Sequence, residues 1–390
     1  MTVATIADRR RWSMLALGVF AQATSAVTVH GAPFLLPALT AREMPLATAG
    51  VLVAMPTVGL VATLVAWGAL VDRIGERAVM VAGLTVMVVA SGAAAFSTSY
   101  LALGCWLALS GVGAASTNGA SGRVIVGWFP PERRGLAMGI RQTAQPLGVG
   151  IAALTVPYLA AAQGVPAALL VSAGMAAVAA VGCLLGVLDP PRPPRNVAGA
   201  NPYRGDGTLW RIHAVSVLLV IPQATIWTFA LLWLHDDVGW SVVAAGVLVT
   251  ATQLLGAAGR IGAGVWSDRV RSRMGPLRTI AVGAVTSTAG LAVAAWLGWW
   301  WIALPLLVIA SVITVADNGL AFTAVAEIAG PYWSGKGLGI QNTGQNLASA
   351  AIAPVFGALI TVGGFPAAYA VAAVAAAVAI PLVPHDRPQG

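Results

Sequence analysis

Residues 118–147 read NGASGRVIVGWFPPERRGLAMGIRQTAQPL, and residues 318–347 read NGLAFTAVAEIAGPYWSGKGLGIQNTGQNL. The two stretches align without a gap, 200 residues apart. Asn118-Gly119 meets Asn318-Gly319, Pro131 meets Pro331, Gly135 meets Gly335, and Gly139-Ile140 meets Gly339-Ile340. Thr143, Gln145 and Leu147 meet Thr343, Gln345 and Leu347, and Pro166-Ala167-Ala168 recurs as Pro366-Ala367-Ala368. A half-chain repeat in apolar sequence predicts two homologous helical bundles with a site between them. Where the copies agree they describe the scaffold; where they differ they describe its chemistry.

Working outward, the composition is that of a polytopic membrane protein. Of 390 residues, 58% are hydrophobic and only 9% are charged, with a mean hydropathy of +0.84. Soluble domains carry about 25% charged residues, so a water-facing globule is excluded. The net charge of +8 does not point to nucleic acid. The basic residues sit in short loops between apolar runs, without a basic stripe interleaved with aromatics. Cys105 and Cys183 lie inside apolar runs and make neither a metal-ligand spacing nor a disulfide framework.

A membrane-spanning helix needs about 20 apolar residues. Twelve runs qualify: 12–38, 46–70, 78–97, 101–127, 137–161, 166–188, 211–234, 242–266, 279–298, 301–327, 338–362 and 366–384. The longest polar stretch, rich in Pro, Gly and Arg, follows the sixth run. The domain reading is therefore an N-terminal six-helix bundle over 1–188, a cytoplasmic linker over 189–210, and a C-terminal six-helix bundle over 211–390. On this threading seventeen of the 21 basic residues, among them Arg9, Arg73, Arg133, Arg195, Arg211, Arg269, Lys336 and Arg387, fall on one face, and only Arg42 falls on the other. The positive-inside bias then puts both termini and the linker in the cytoplasm, as expected of a multi-pass protein of the cytoplasmic (inner) membrane.

Two loops carry a shared pattern. After the second run the chain reads Gly68-x-x-x-Asp72-Arg73-x-Gly75-Glu76-Arg77, and after the eighth Gly264-x-x-x-Asp268-Arg269-x-Arg271. The glycines permit close helix approach, and an aspartate at a helix end favours the N-terminus of a neighbouring helix. Arg73 and Arg269 have loop carboxylates such as Glu132 within sequence reach. This pair of loops resembles the loop motif of the major facilitator superfamily, and the resemblance covers essentially the whole chain. It implies an all-α membrane protein with twelve transmembrane helices in two six-helix pseudo-symmetric bundles, acting as a secondary transporter by alternating access. Gly68, Asp72, Arg73, Gly264, Asp268 and Arg269 would then be gating residues that latch the cytoplasmic face in the outward-open state.

Ionisable residues inside spans are costly and mark function by default. Here they are His30, Arg123, Arg141, Arg260, Asp317 and Glu327. Arg260 lies eight residues before Asp268, about 12 Å inside the helix end, among Ala258, Gly259, Gly262 and Ala263; its counterpart in the first half is Leu64. The spacing Arg260-x-x-x-Gly264-x-x-Ser267-Asp268 resembles span eight of the oxalate/formate antiporters and monocarboxylate transporters. That resemblance implies a substrate carboxylate on the arginine fork; the alternative is an ion pair with an acid on a neighbouring helix. The oxalate carriers also use a basic residue in span eleven, where this chain has Gln341, Asn342, Gln345 and Asn346. One fixed cation suits a monoanion.

Arg141 meets Gln341 in the repeat and shares a helix face with Gln145. It reads as a second anion contact or a gate, or as a stem snorkelling to the nearby surface. Arg123 reads as a structural ion pair near the loop motif, and Glu327 as structural. Asn118 and Asn318 occupy equivalent depths, as do Gln22 and Gln223, and with Gln145 and Gln345 they are candidate substrate ligands. Bonding between helices is the alternative for the asparagines. Asp317, whose counterpart is Thr117, is the candidate proton carrier, with His30 as a possible relay.

The expectation is a transporter of a small, monocarboxylate-like organic anion by proton symport. Its partners would be the anion, protons and the lipid bilayer, with no nucleic acid, and it would work as a monomer without cofactor or metal. No nucleotide-binding loop, metal cluster or nucleophile elbow supports an enzyme or an ATP-driven pump. Two other cargoes remain open: inorganic monoanions such as nitrate or cyanate, and apolar drugs exported on a proton gradient. Drug exporters of the superfamily carry an arginine early in span four, where this chain has Ala108-Leu109-Ser110-Gly111-Val112-Gly113. They also carry a Gly-Pro signature in span five that Pro146-x-Gly148-x-Gly150 matches only in part.

Overall fold

The computed structural model describes residues 8–41, 44–192 and 200–386. Arg42, Arg195, Arg387 and the middle of the linker, 193–199, on which part of the orientation and domain readings rests, lie outside the described residues. No β-strand occurs among the described residues. In a hydrocarbon environment every backbone polar group must be satisfied internally, and runs this long and apolar do so as helices.

Eleven described helices are long and apolar enough to cross a membrane. In chain order they are α1 (Asp8–His30), α2 (Leu46–Ile74), α3 (Glu76–Ala95), α4 (Tyr100–Trp128), α5 (Pro131–Ala162), α6 (Val165–Gly186), α7 (Thr208–Asp236), α8 (Val242–Val270), α9 (Met274–Trp296), α10 (Trp300–Ala329) and the long Ser334–Leu382. The last is two helices joined at Gly364, where φ is 70°, and is written α11 (334–363) and α12 (365–382). The expected twelve spans are therefore present.

The first span differs from its expected end. The helix stops at His30 rather than near residue 38, and a 3-10 turn (Ala32–Leu35) and a short helix (Leu36–Thr40) follow. Pro33 and Pro37 lack the amide hydrogens that a continuing helix would need, so an apolar run of uniform hydropathy is broken by its prolines. α5 is also interrupted, at Thr143, between Pro131–Gln142 and Ala144–Ala162. Ser99 and Ser241 cap α4 and α8, accepting from Ala102 N and Ala244 N at 3.2 Å each.

The residues group into two compact units. The first comprises Met1–Pro130, Arg141–Ala200 and Ala326–Thr343; the second comprises Pro131–Ile140, Asn201–Val325 and Gly344–Gly390. In the first, α4 packs against α1, α2 and α3. The α2–α4 seam depends on absent side chains. A Cβ on Gly59 would lie 1.9 Å from the Ala108 carbonyl oxygen, and one on Gly111 1.9 Å from that of Pro56. In the second, Phe229, Trp233, Leu307, Phe356, Phe365 and Tyr369 build an aromatic core from α7, α10, α11 and α12.

Candidate functional site

The two motif loops have the same geometry. Asp72, at the end of α2, accepts hydrogen bonds from the backbone amides of Gly335 (2.9 Å) and Lys336 (2.8 Å), the first turn of α11. Asp268, at the end of α8, accepts them from Gly135 (2.9 Å) and Leu136 (2.8 Å), in the second turn of α5. Asp72 thus satisfies two of the amides that a helix start leaves open, and both carboxylates sit near the positive end of the facing helix. Gly68 and Gly264 make the approach possible. A Cβ on either would lie 2.2 Å from the carbonyl oxygen of Gly335 or Gly135.

The arginines that hold these aspartates are not those of the motif. Arg123 of α4, buried, donates to Asp72 at 2.5 Å and sits 2.7 Å from Glu76, which is fully buried. This is the ion pair expected of it. Arg273 donates to Asp268 at 2.6 Å, to Ser267 at 2.9 Å and to the Pro131 carbonyl at 2.9 Å. Arg73, Arg269 and Glu132 are exposed and form no ion pair with one another among the described residues.

Deeper in the first unit, Gln22 Nε2 donates to Asn118 Oδ1 at 3.0 Å, and the Thr117 hydroxyl donates to Gln22 Oε1 at 3.1 Å. Arg141 does not snorkel: it is 1% exposed, because its stem runs inward rather than to the surface. Its guanidinium donates to Ser121 Oγ (2.8 Å), the Asn118 carbonyl (2.7 Å) and Gln142 Oε1 (2.9 Å). Gln145 turns elsewhere, its Nε2 lying 3.3 Å from His30 Nε2.

The second unit repeats the carboxamide seam and then departs from it. Asn318 Nδ2 donates to Gln223 Oε1 at 2.9 Å, and Gln345 Nε2 donates to Asn318 Oδ1 at 2.8 Å. The asparagines therefore do bond between helices. Beside the seam lies Arg260, 3% exposed, with the charge of buried Asp317 acting on it. Its guanidinium carbon stands 5.6 Å from the centre of the Trp227 ring, within cation–π range. The repeat assignment of Arg260 holds in space as well. A Cβ on Gly139 would lie 2.6 Å from the Arg260 carbonyl oxygen, and one on Gly339 2.6 Å from that of Leu64.

A family model described as Major Facilitator Superfamily matches residues 15–352. The chain belongs to that superfamily. The superfamily member is 50% identical over 379 residues, 96% of its own length and 85% of the other's, to an uncharacterized MFS-type transporter of Mycobacterium tuberculosis, Rv2994. Among solved structures it superposes on the human organic anion transporter MFSD10 with a TM-score of 0.75 at 17% identity, covering 97% and 100% of the two chains. It superposes on the E. coli fucose:proton symporter FucP with a TM-score of 0.75 at 16% identity, covering 95% and 97%. As a superfamily transporter it is a membrane-embedded secondary carrier of small molecules and not an enzyme.

Sequence reading missed Trp227, Thr117 and Arg273. Trp227 stands one helical turn from Gln223 on α7, and that i, i+4 spacing was the available signal. Arg273 was counted only as a loop charge.

Proposed function

We propose that this transporter moves a small, monocarboxylate-like organic anion by alternating access, in symport with protons, across the cytoplasmic membrane with both termini inside. The observation that carries the reading is Arg260, a buried guanidinium on α8 where the matched position of the other half is Leu64. A charge so expensive to bury at a place the scaffold does not require it calls for a job, and a carboxylate is the natural partner of its planar fork. Asp317 holds the cation in the absence of substrate. Protonation of Asp317 would release Arg260 to an incoming anion, so proton and anion would travel together. Arg260 and Asp317 are the core of the site and Gln223, Asn318 and Gln345 its neutral neighbours; in the first unit Gln22, Asn118, Arg141 and Gln145 are the candidate ligands. His30, on Gln145, would relay protons. The likeness of α8 to the oxalate/formate and monocarboxylate carriers supports the same cargo.

The test is a thermal-shift screen of the purified monomer against monocarboxylates, dicarboxylates, nitrate, cyanate and cationic drugs. A ligand at 100 times its Kd adds about 2.7 kcal/mol of apparent stability. Monocarboxylates should raise the melting temperature of the parent and leave Arg260→Ala unmoved. Stabilisation by cations alone, or an unchanged response in Arg260→Ala, would overturn the reading.

A further inference from the structure

Sequence comparison loses the repeat after residues 168 and 368, but the structure carries it on to the ends of both halves. Past α6, the carboxylate of Asp189 accepts from the backbone amides of Glu76 (2.7 Å) and Arg77 (2.8 Å), the first residues of α3. Past α12, the carboxylate of Asp386 accepts from the amides of Arg273 (3.2 Å) and Met274 (3.1 Å), at the start of α9, and its other oxygen receives the Ser272 hydroxyl. Asp189 and Asp386 are 197 positions apart, and so are Glu76 and Arg273. The tail is held in place for this contact. Arg211 donates to the Leu382 carbonyl and Arg278 to the Val383 carbonyl, both at 3.0 Å.

What each carboxylate fixes is the residue that serves the latch. In the first half the held residue is Glu76, which shares Arg123 with Asp72. In the second it is Arg273, whose side chain grips Asp268 and the Pro131 carbonyl. We propose that Asp386 is a positioning residue of the gate: by fixing the backbone of Arg273 at the head of α9, the C-terminal tail aims the guanidinium that keeps Asp268 on the amides of Gly135 and Leu136 in α5. The tail of the chain and the linker between its halves are then the same part used twice. The proposal rests on reading Asp268 as a latch, and the test separates the two.

The test is amide exchange of the full chain in lipid nanodiscs, followed by mass spectrometry and needing no substrate. Asp268→Asn should speed exchange in the peptide covering Pro131–Gln142. Asp386→Ala should speed it there too, about fivefold, as expected for losing a helix cap, as well as at Ser272–Leu277. Asp386→Asn, which keeps one acceptor, should fall between parent and Asp386→Ala. If Asp386→Ala loosens only Ser272–Leu277, or nothing, while Asp268→Asn loosens Pro131–Gln142, the tail is merely a local cap and the proposal is overturned. If Asp268→Asn leaves Pro131–Gln142 unchanged, the latch reading itself fails, and the proposal with it.

Discussion

Replacing Arg123 with methionine should be among the most damaging single changes in the chain. The cluster around it holds three carboxylates, Asp72, Glu76 and Asp189, against two cations, Arg123 and Arg192. Methionine matches the length of the stem but leaves Asp72 to its backbone amide donors and fully buried Glu76 to Arg192, whose guanidinium reaches Glu76 only at 3.4 Å. Removing one partner of a buried pair costs about 3–5 kcal/mol, because the survivor remains buried and charged. Asp72 keeps the amides of Gly335 and Lys336, so the lower figure applies. In a unit of roughly 200 residues each kcal/mol moves the melting temperature by about 2–4 °C, so Arg123→Met should melt roughly 10 °C below the parent. Adding Glu76→Gln removes the stranded charge and should recover about half of that. The assay is thermal unfolding in detergent, read by exposure of the buried thiol of Cys183. A shift of under about 2 °C, or a double variant no better than Arg123→Met, would refute the argument that Arg123 neutralises both acids.

Three further outcomes are expected. Asp317→Asn, reconstituted in proteoliposomes, should still move anion down its own gradient but lose acceleration by an imposed pH gradient; unchanged pH-driven uptake would remove Asp317 from the coupling. Gly68→Ala and Gly264→Ala each push a Cβ to about 2.2 Å from a backbone oxygen, a distance no contact tolerates, so both should speed amide exchange at the facing helix start, Ser334–Gly337 for the first and Gly135–Met138 for the second. Trp227→Leu removes the ring beside Arg260 and should weaken anion binding about threefold to thirtyfold, the worth of a cation–π contact, without altering the melting temperature of the ligand-free protein by more than a few degrees.

The scaffold was readable because membranes leave few options. Apolar length gave the twelve helices, and matched glycines and aspartates gave the two loops, though not which helix each carboxylate faces. The mismatch of Arg260 with Leu64 was also legible, and the backbone contacts of Gly139 and Gly339 show that it compares like with like. Other features were hidden for definite reasons. Gln145 and Gln345 are the same residue at matched positions, yet one faces His30 and the other Asn318. The difference follows from a third residue, since His30 has Leu231 as its counterpart at the offset that pairs Gln22 with Gln223. Trp227 sat unnoticed in an apolar run, where hydropathy reports how greasy a residue is and not which face it occupies. Asp386 lay in a polar tail where no periodicity remains to assign it.

Gly364 joins α11 to α12 at φ 70°, and Gly164 joins α5 to α6 at φ 90°. Either connection is one or two residues long, so even fully drawn out it spans under about 8 Å. Neither pair has slack to absorb a stroke. If the end of α11 or α5 travels further than that during the cycle, its partner must be hauled along like the second arm of a crank. An epitope or tag inserted at either glycine would lengthen that arm and uncouple the pair, so these two turns are poor places to decorate the protein.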